Sequence, residues 1–204
     1  MTKTGKKIAG FMTTCTLAAC LGQAAASPIL QNGSFETGDL SGWQVLSGNV
    51  TVQHDYGETD GYYAAILGYG DSGGPNFTLA QTFATTAGAT YTVSFDWASS
   101  PNPKLQSVDV TVTGNGPVLL SQGLAGIGAL PSPYQHYAYT FVADSSSSTL
   151  TFTDTSPSSF QSDQTLDNVV VTSAVPEPAS YLSLLAGLAG LAAVFRARKS
   201  SMHQ

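Results

Sequence analysis

Across residues 28–174 the apolar residues recur at every second position, in short runs parted by Gly, Pro, Asn and Ser, with no long helical period among them. A period of two sends alternate side chains to opposite faces of a strand, so each run can bury one face and wet the other. Tyr91, Val93, Phe95 and Trp97 share one face, and Thr92, Ser94 and Asp96 the other. Val108, Val110 and Val112 alternate with Asp109, Thr111 and Thr113 in the same way, as do Tyr137, Tyr139 and Phe141, and the pair Leu150 and Phe152. Further strands are expected over residues 31–36, 43–46, 50–54, 64–67, 77–85, 118–121 and 166–172. About ten short strands with turn signals between them predict an all-β chain, an antiparallel two-sheet β-sandwich.

The two ends read differently from this middle. Lys3, Lys6 and Lys7 precede a mostly apolar stretch over residues 8–21, and Ala24, Ala25 and Ala26 make a small-residue cleavage site. That is the layout of a signal peptide, residues 1–26, for removal by signal peptidase. Leu17-Ala18-Ala19-Cys20 also resembles a lipobox, which would lipidate Cys20, so both readings of this end stand. Cys15 and Cys20 are the only cysteines, so residues 27–174 hold no disulfide, thiolate ligand or cysteine nucleophile.

Charge divides the same way. Of seven Lys and Arg, six lie in the two ends and only Lys104 lies between them. Twelve of the thirteen acids fall between Glu36 and Asp167, which leaves the central domain near −11 where the whole chain is −6. Such a domain offers nucleic acid or an anionic membrane no basic surface.

The C-terminal segment, residues 175–199, holds Pro176, Glu177 and Pro178, then an uncharged apolar run of 17 residues over 179–195, then Arg196, Arg198 and Lys199. The run is near the minimum for crossing about 30 Å of hydrocarbon as a helix, and the basic cluster predicts a cytoplasmic end that includes residues 200–204. This order resembles the PEP-CTERM sorting signal of Gram-negative bacteria. The resemblance implies recognition by an exosortase, cleavage near the motif, transient inner-membrane anchoring, and delivery to the cell surface or the extracellular matrix. A plain single-span tail anchor is the alternative.

Asn32-Gly33-Ser34-Phe35-Glu36, Gly42-Trp43, Gly61-Tyr62-Tyr63-Ala64, Leu79-Ala80-Gln81-Thr82-Phe83 and Leu166-Asp167-Asn168-Val169 follow one another with the rhythm of galactose-binding-like jelly rolls. The domain resembles the carbohydrate-binding modules of that superfold and the domains called DUF642 or choice-of-anchor. Those families often carry one structural Ca²⁺, and the resemblance implies Glu36, Asp60 and Asp167 as carboxylate ligands, with carbonyls of Ser34 and Tyr63. Asp167 shares sequence parity with Val169 and Val171, so it is expected on their inward side, where a carboxylate needs a partner. With one lysine in the domain, a hard cation is a natural one; hydrogen bonds from loop amides are the other.

Sugar binding needs exposed aromatic platforms and polar groups for hydroxyls. Tyr56, Tyr62, Tyr69 and Tyr134 are the loop candidates, with Asp55, Asp71, Asn76, Asn102 and Gln135 nearby, while Trp43 and Trp97 sit at core positions. No catalytic motif accompanies them: His54 and His136 are far apart at polar positions, and Glu58 and Asp60 sit in a Gly-rich loop. The chain is therefore read as a non-enzymatic exported surface or matrix protein, associated with exopolysaccharide or biofilm and weakly saccharide-binding. A dedicated carbohydrate-binding module with a defined glycan, or a purely structural or adhesive matrix protein, are the alternatives.

Overall fold

A computed structural model describes residues 29–55, 58–69, 76–100, 106–126, 134–157 and 163–174, and Gly187 in the tail. Ten strands form in it: β1 (Gln44–Gly48), β2 (Val50–Gln53), β3 (Ala64–Leu67), β4 (Phe77–Ala84), β5 (Thr90–Ser100), β6 (Ser107–Thr113), β7 (Leu120–Ala125), β8 (Gln135–Val142), β9 (Ser147–Asp154) and β10 (Asp163–Ser173). One sheet runs β1-β4-β9-β6-β7 and the other β2-β3-β10-β5-β8, and neighbouring strands in both are antiparallel. The chain changes sheet between β1 and β2, where Gly48 at φ 72 lies against the Asn76 carbonyl so tightly that a Cβ would sit 1.6 Å from it. Only glycine turns that corner.

The alternation predicts the core residue by residue. Val108, Val110 and Val112 are all buried, as are Tyr91, Val93, Phe95 and Trp97. Phe95 on β5 meets Phe152 on β9 edge to face at 5.1 Å, joining the sheets. Each large side chain buried in this way stabilises the fold by ~2–3 kcal/mol. Trp43 and Trp97 are core residues, as expected. Each satisfies its ring N–H, Trp43 on the Asn32 carbonyl at 3.0 Å and Trp97 on Gln164 Oε1 at 2.9 Å.

Three expectations fail. Residues 31–36 are not a strand: Asn32 and Phe35 take left-handed φ of 49° and 58°, and the Gly38 amide closes a turn on the Phe35 carbonyl. The segment docks through Gln81, buried on the inward face of β4, which accepts from the Gln31 amide at 2.7 Å and donates to the Gln31 carbonyl at 2.9 Å. Phe35 drops into the core from the turn and stacks on Trp43. The strand expected at 118–121 begins at Leu120 instead, leaving Val118 exposed in the preceding turn.

Third, Asp167 does not share a face with Val171. It pairs with Asp96 on the outward face of its sheet, whereas Val171 pairs with the core residue Val93. A bulge between Asp167 and Val170, with Asn168 at φ 51, shifts the parity by one.

Candidate functional site

The segment from Glu58 to Tyr63 ties the outward face of the second sheet to the docked N-terminal segment, and two carboxylates hold it. Asp167 has no exposed surface although it faces outward, because this segment covers it. Its Oδ2 accepts from the amides of Thr59 (2.7 Å) and Asp60 (3.0 Å) and from the Thr59 hydroxyl (3.1 Å), and its Oδ1 from the Asn168 amide (2.7 Å). At the other end Glu36 Oε1 accepts from the amides of Tyr62 and Tyr63, both at 2.7 Å. Gly61 allows this approach: at φ 74 it lies so near that a Cβ would be 2.2 Å from the Glu36 carboxyl carbon.

Beneath the segment lies a small polar cluster. The Thr59 hydroxyl donates to Asp96 Oδ2 at 2.7 Å, Asn168 Nδ2 donates to the same oxygen at 3.2 Å, and His136 Nδ1 pairs with Asp96 Oδ1 at 2.7 Å. Burial pushes Asp96 up, but hydrogen bonds from Thr59, His136 and Asn168 outweigh it and hold the carboxyl below its ordinary value. Burial dominates at Asp167 and raises its pKa, against the lowering effect of the Asp60, Thr59 and Asn168 amides.

The five residues expected around a Ca²⁺ separate into two groups. Ser34, Glu36 and Asp60 line one cavity of about 450 Å³ together with Asn32, Gly33 and Asn168. Asp167 and Tyr63 are not in its lining. Asp167 Oδ2 takes three hydrogen bonds and Oδ1 one, so the loop amides expected as the alternative to a cation are present on it. Among the described residues no three acidic or imidazole groups converge as a metal centre. The fit to calcium is therefore partial: two carboxylates, with Asp60 lacking any side-chain hydrogen bond among the described residues, and neighbouring backbone oxygens.

Among the described residues, Tyr62, Tyr69 and Tyr134 do not form one platform. Tyr62 is 55% exposed and stacks on His54, with ring centroids 5.0 Å apart and planes 14° from parallel. Tyr63 stands edge-on to both rings. His54 Nδ1 pairs with Asp55 at 2.7 Å, and both side chains are well exposed. This aromatic pair with a carboxylate was not legible as a unit, because His54 and Tyr62 meet only when the intervening loop folds back. Tyr69 is exposed but leaves the far end of β3, which puts it ~20 Å along the strand from Tyr62. Tyr134 is a different kind of residue from the one expected: its hydroxyl is buried and is pushed up to about 12 by burial, with Thr165 opposing the shift and Asp167, Glu58 and Asp96 adding to it.

Asn76 is also committed to the fold, its amide on Asp154 and its side chain on the Gly68 carbonyl. Gln135 lies opposite Trp97 in the register of β8 and β5. Tyr56, Asp71, Asn102, the sorting residues Pro176, Glu177, Pro178, Arg196, Arg198 and Lys199, and both termini lie outside the described residues. Among the described residues no helix is long and apolar enough to cross a membrane.

A family model described as a carbohydrate binding domain matches residues 27–172. The chain belongs to that family. Residues 174–199 match the PEP-CTERM protein-sorting motif, so this is an exported, carbohydrate-binding protein with a C-terminal sorting signal.

Solved structures agree on the sandwich. TmCBM61, solved with β-1,4-galactotriose, is 19% identical with a TM-score of 0.55 over 72% of this chain and 98% of its own. The CBM22-1 xylan-binding domain of Paenibacillus barcinonensis Xyn10C is 18% identical, with a TM-score of 0.53 over 74% and 97%. A putative sugar binding protein from Bacteroides thetaiotaomicron is 10% identical, with a TM-score of 0.50 over 72% and 99%. No curated protein sequence matches the chain.

Proposed function

We propose that this protein is a non-catalytic saccharide-binding module, processed by an exosortase and active at the cell surface or in the extracellular matrix, in association with exopolysaccharide or biofilm. The observation that carries the binding reading is the exposed Tyr62 ring stacked on His54 beside Asp55, on the fold of a carbohydrate-binding family. A flat aromatic face suits the apolar face of a pyranose, and a carboxylate accepts from sugar hydroxyls. The neighbours, one solved with β-1,4-galactotriose and one a xylan-binding domain, support a glycan chain as the ligand. One small platform, with Tyr69 and Tyr134 elsewhere, suits weak binding.

In this proposal residues 1–26 are a signal peptide, 27–174 the binding domain, 175–199 the sorting signal with its membrane span, and 200–204 a cytoplasmic tail. Anchoring at the inner membrane is transient, through the terminal segments alone. A structural Ca²⁺ would sit on Glu36 and Asp60 in the cavity that Ser34 also lines, fastening the N-terminal segment to the Glu58–Tyr63 loop without a catalytic part.

A glycan array tests the function directly. Binding to one glycan class, lost in Tyr62→Ala with the fold intact, supports the module. Silence across the array would refute it and leave a structural or adhesive matrix role. Turnover of a soluble polysaccharide would overturn the non-catalytic assignment. Intact mass from the exporting host tests processing: a chain ending near Pro178 supports it, and one reaching Gln204 refutes it.

A further inference from the structure

We propose that the glycan taken by the Tyr62–His54 platform is an amino-bearing one, a chain of hexosamine residues whose free amines are protonated. The inference rests on the saccharide-binding reading above and narrows it to one charge class. Glycans come as anionic, neutral or cationic polymers, and a site distinguishes them by the charges it can offer.

The anionic class finds no counter-charge. Lys104 is the only lysine or arginine between residues 28 and 195, and the described residues contain none. The described residues that can carry positive charge are His54 and His136, and each is already paired with an aspartate, Asp55 and Asp96. A uronate or sulfate brought to this surface would meet repulsion from a domain near −11 with no local cation to offset it.

The platform itself is set among acceptors. Asp55, its side chain 79% exposed, pairs with His54 through Oδ2 and has no partner on Oδ1 among the described residues. Glu36 lies against Gly61, adjacent to Tyr62, and accepts its amide through Oε1. Asp60 is exposed and makes no side-chain hydrogen bond among the described residues; a Ca²⁺ held by Glu36 and Asp60 would take up those two carboxylates and leave Asp55 as the acceptor beside the platform. An ammonium group supplies donors and no acceptor, which is the complement of such a setting. The exposed face of Tyr62 adds attraction for a cation held over it. A neutral sugar can use the aromatic face, but it gains nothing from the negative potential. A protonated amino sugar gains from both.

The test compares three tetrasaccharides of similar size on the purified protein by calorimetry: glucosamine, N-acetylglucosamine and galacturonate. The first two share one backbone and differ in charge. The glucosamine tetramer is expected to bind about tenfold tighter than its acetylated counterpart at low salt. The gap should close in about 1 M salt, where the screening length falls to about 3 Å. Galacturonate should not bind.

An acidic protein attracts any polycation, so Tyr62→Ala, which leaves net charge unchanged, is the deciding variant. It should weaken the glucosamine tetramer at least about fivefold, with Tyr62→Trp restoring binding and reporting an intact fold. Equal affinity for the first two tetramers, or uptake of galacturonate, would overturn the charge class while the saccharide reading stands. Glucosamine binding indifferent to Tyr62→Ala would reduce the effect to bulk attraction and overturn the proposal. If no tetramer binds, the charge class falls, and the saccharide reading is left to the glycan array.

Discussion

Asp167→Ala tests whether a buried carboxylate, rather than a cation, holds the Glu58–Tyr63 loop. In the folded protein Asp167 accepts three backbone amides and one hydroxyl and has no exposed surface. Each hydrogen bond to a charged acceptor contributes about 1.5–3 kcal/mol net, and orphaning a buried donor costs about 1–3 kcal/mol. These terms do not add, and removing the carboxylate also relieves its own desolvation, which is large enough to raise its pKa. The balance is a loss of about 3 kcal/mol, below the simple sum. For a domain of this size that lowers Tm by about 6–12 °C.

The assay is thermal unfolding followed by circular dichroism, with amide hydrogen exchange to locate the damage. Exchange should accelerate at Thr59 and Asp60 and spread to Tyr62 and Tyr63, whose amides depend on the same loop. Strands β4 and β9, which share no hydrogen bond with Asp167, should keep their protection. A drop below about 2 °C with unchanged exchange at Thr59 and Asp60 would refute the latch and the register that places Asp167 on the outward face.

The remaining predictions are shorter. Asp167 has a raised folded pKa, so its contribution to stability is present below its ordinary value of 3.8 and is lost as pH rises through the higher folded value. Asp167→Asn should therefore remove a decline in Tm over the weakly acidic range that the parent shows, read by melting at a series of pH values; parallel profiles would refute it. Gly33→Ala places a Cβ 1.8 Å from the Val169 carbonyl oxygen, so it should break the Val169–Gly33 hydrogen bond and cost at least ~2 kcal/mol by urea unfolding. Calcium in excess should raise Tm and a chelator reverse it if Glu36 and Asp60 hold the ion, with Asp60→Asn abolishing the shift. No shift in the parent protein would end the calcium proposal.

Legibility from the sequence followed the physics of each feature. Val108, Val110 and Val112, or Leu150 and Phe152, could be assigned to the core at sight, because a strand's period of two is a local property of the backbone. The sorting motif at 174–199 was equally plain, being a linear string. Residues 31–36 misled because Phe35 reaches the core from a left-handed turn, and hydrophobic content alone does not distinguish a turn from a strand. Asp167 misled because one bulge reverses every parity beyond it, and the one local hint was Asn168, a residue type enriched at positive φ. Tyr134 looked like a loop platform, but its burial depends on partners from β10 and the Glu58–Tyr63 loop.

The sequence by itself determined the class of fold, the C-terminal sorting motif, and a domain almost without cations. These rest on periodicity, order along the chain and composition, which need no third dimension. Only the tertiary structure decided that Glu36 and Asp167 clasp one loop, that Asp167 turns outward, and that His54 and Tyr62 stack. Each of these depends on residues distant in sequence brought together by loop closure and by a single shift of strand register, and neither leaves a periodic trace in the chain.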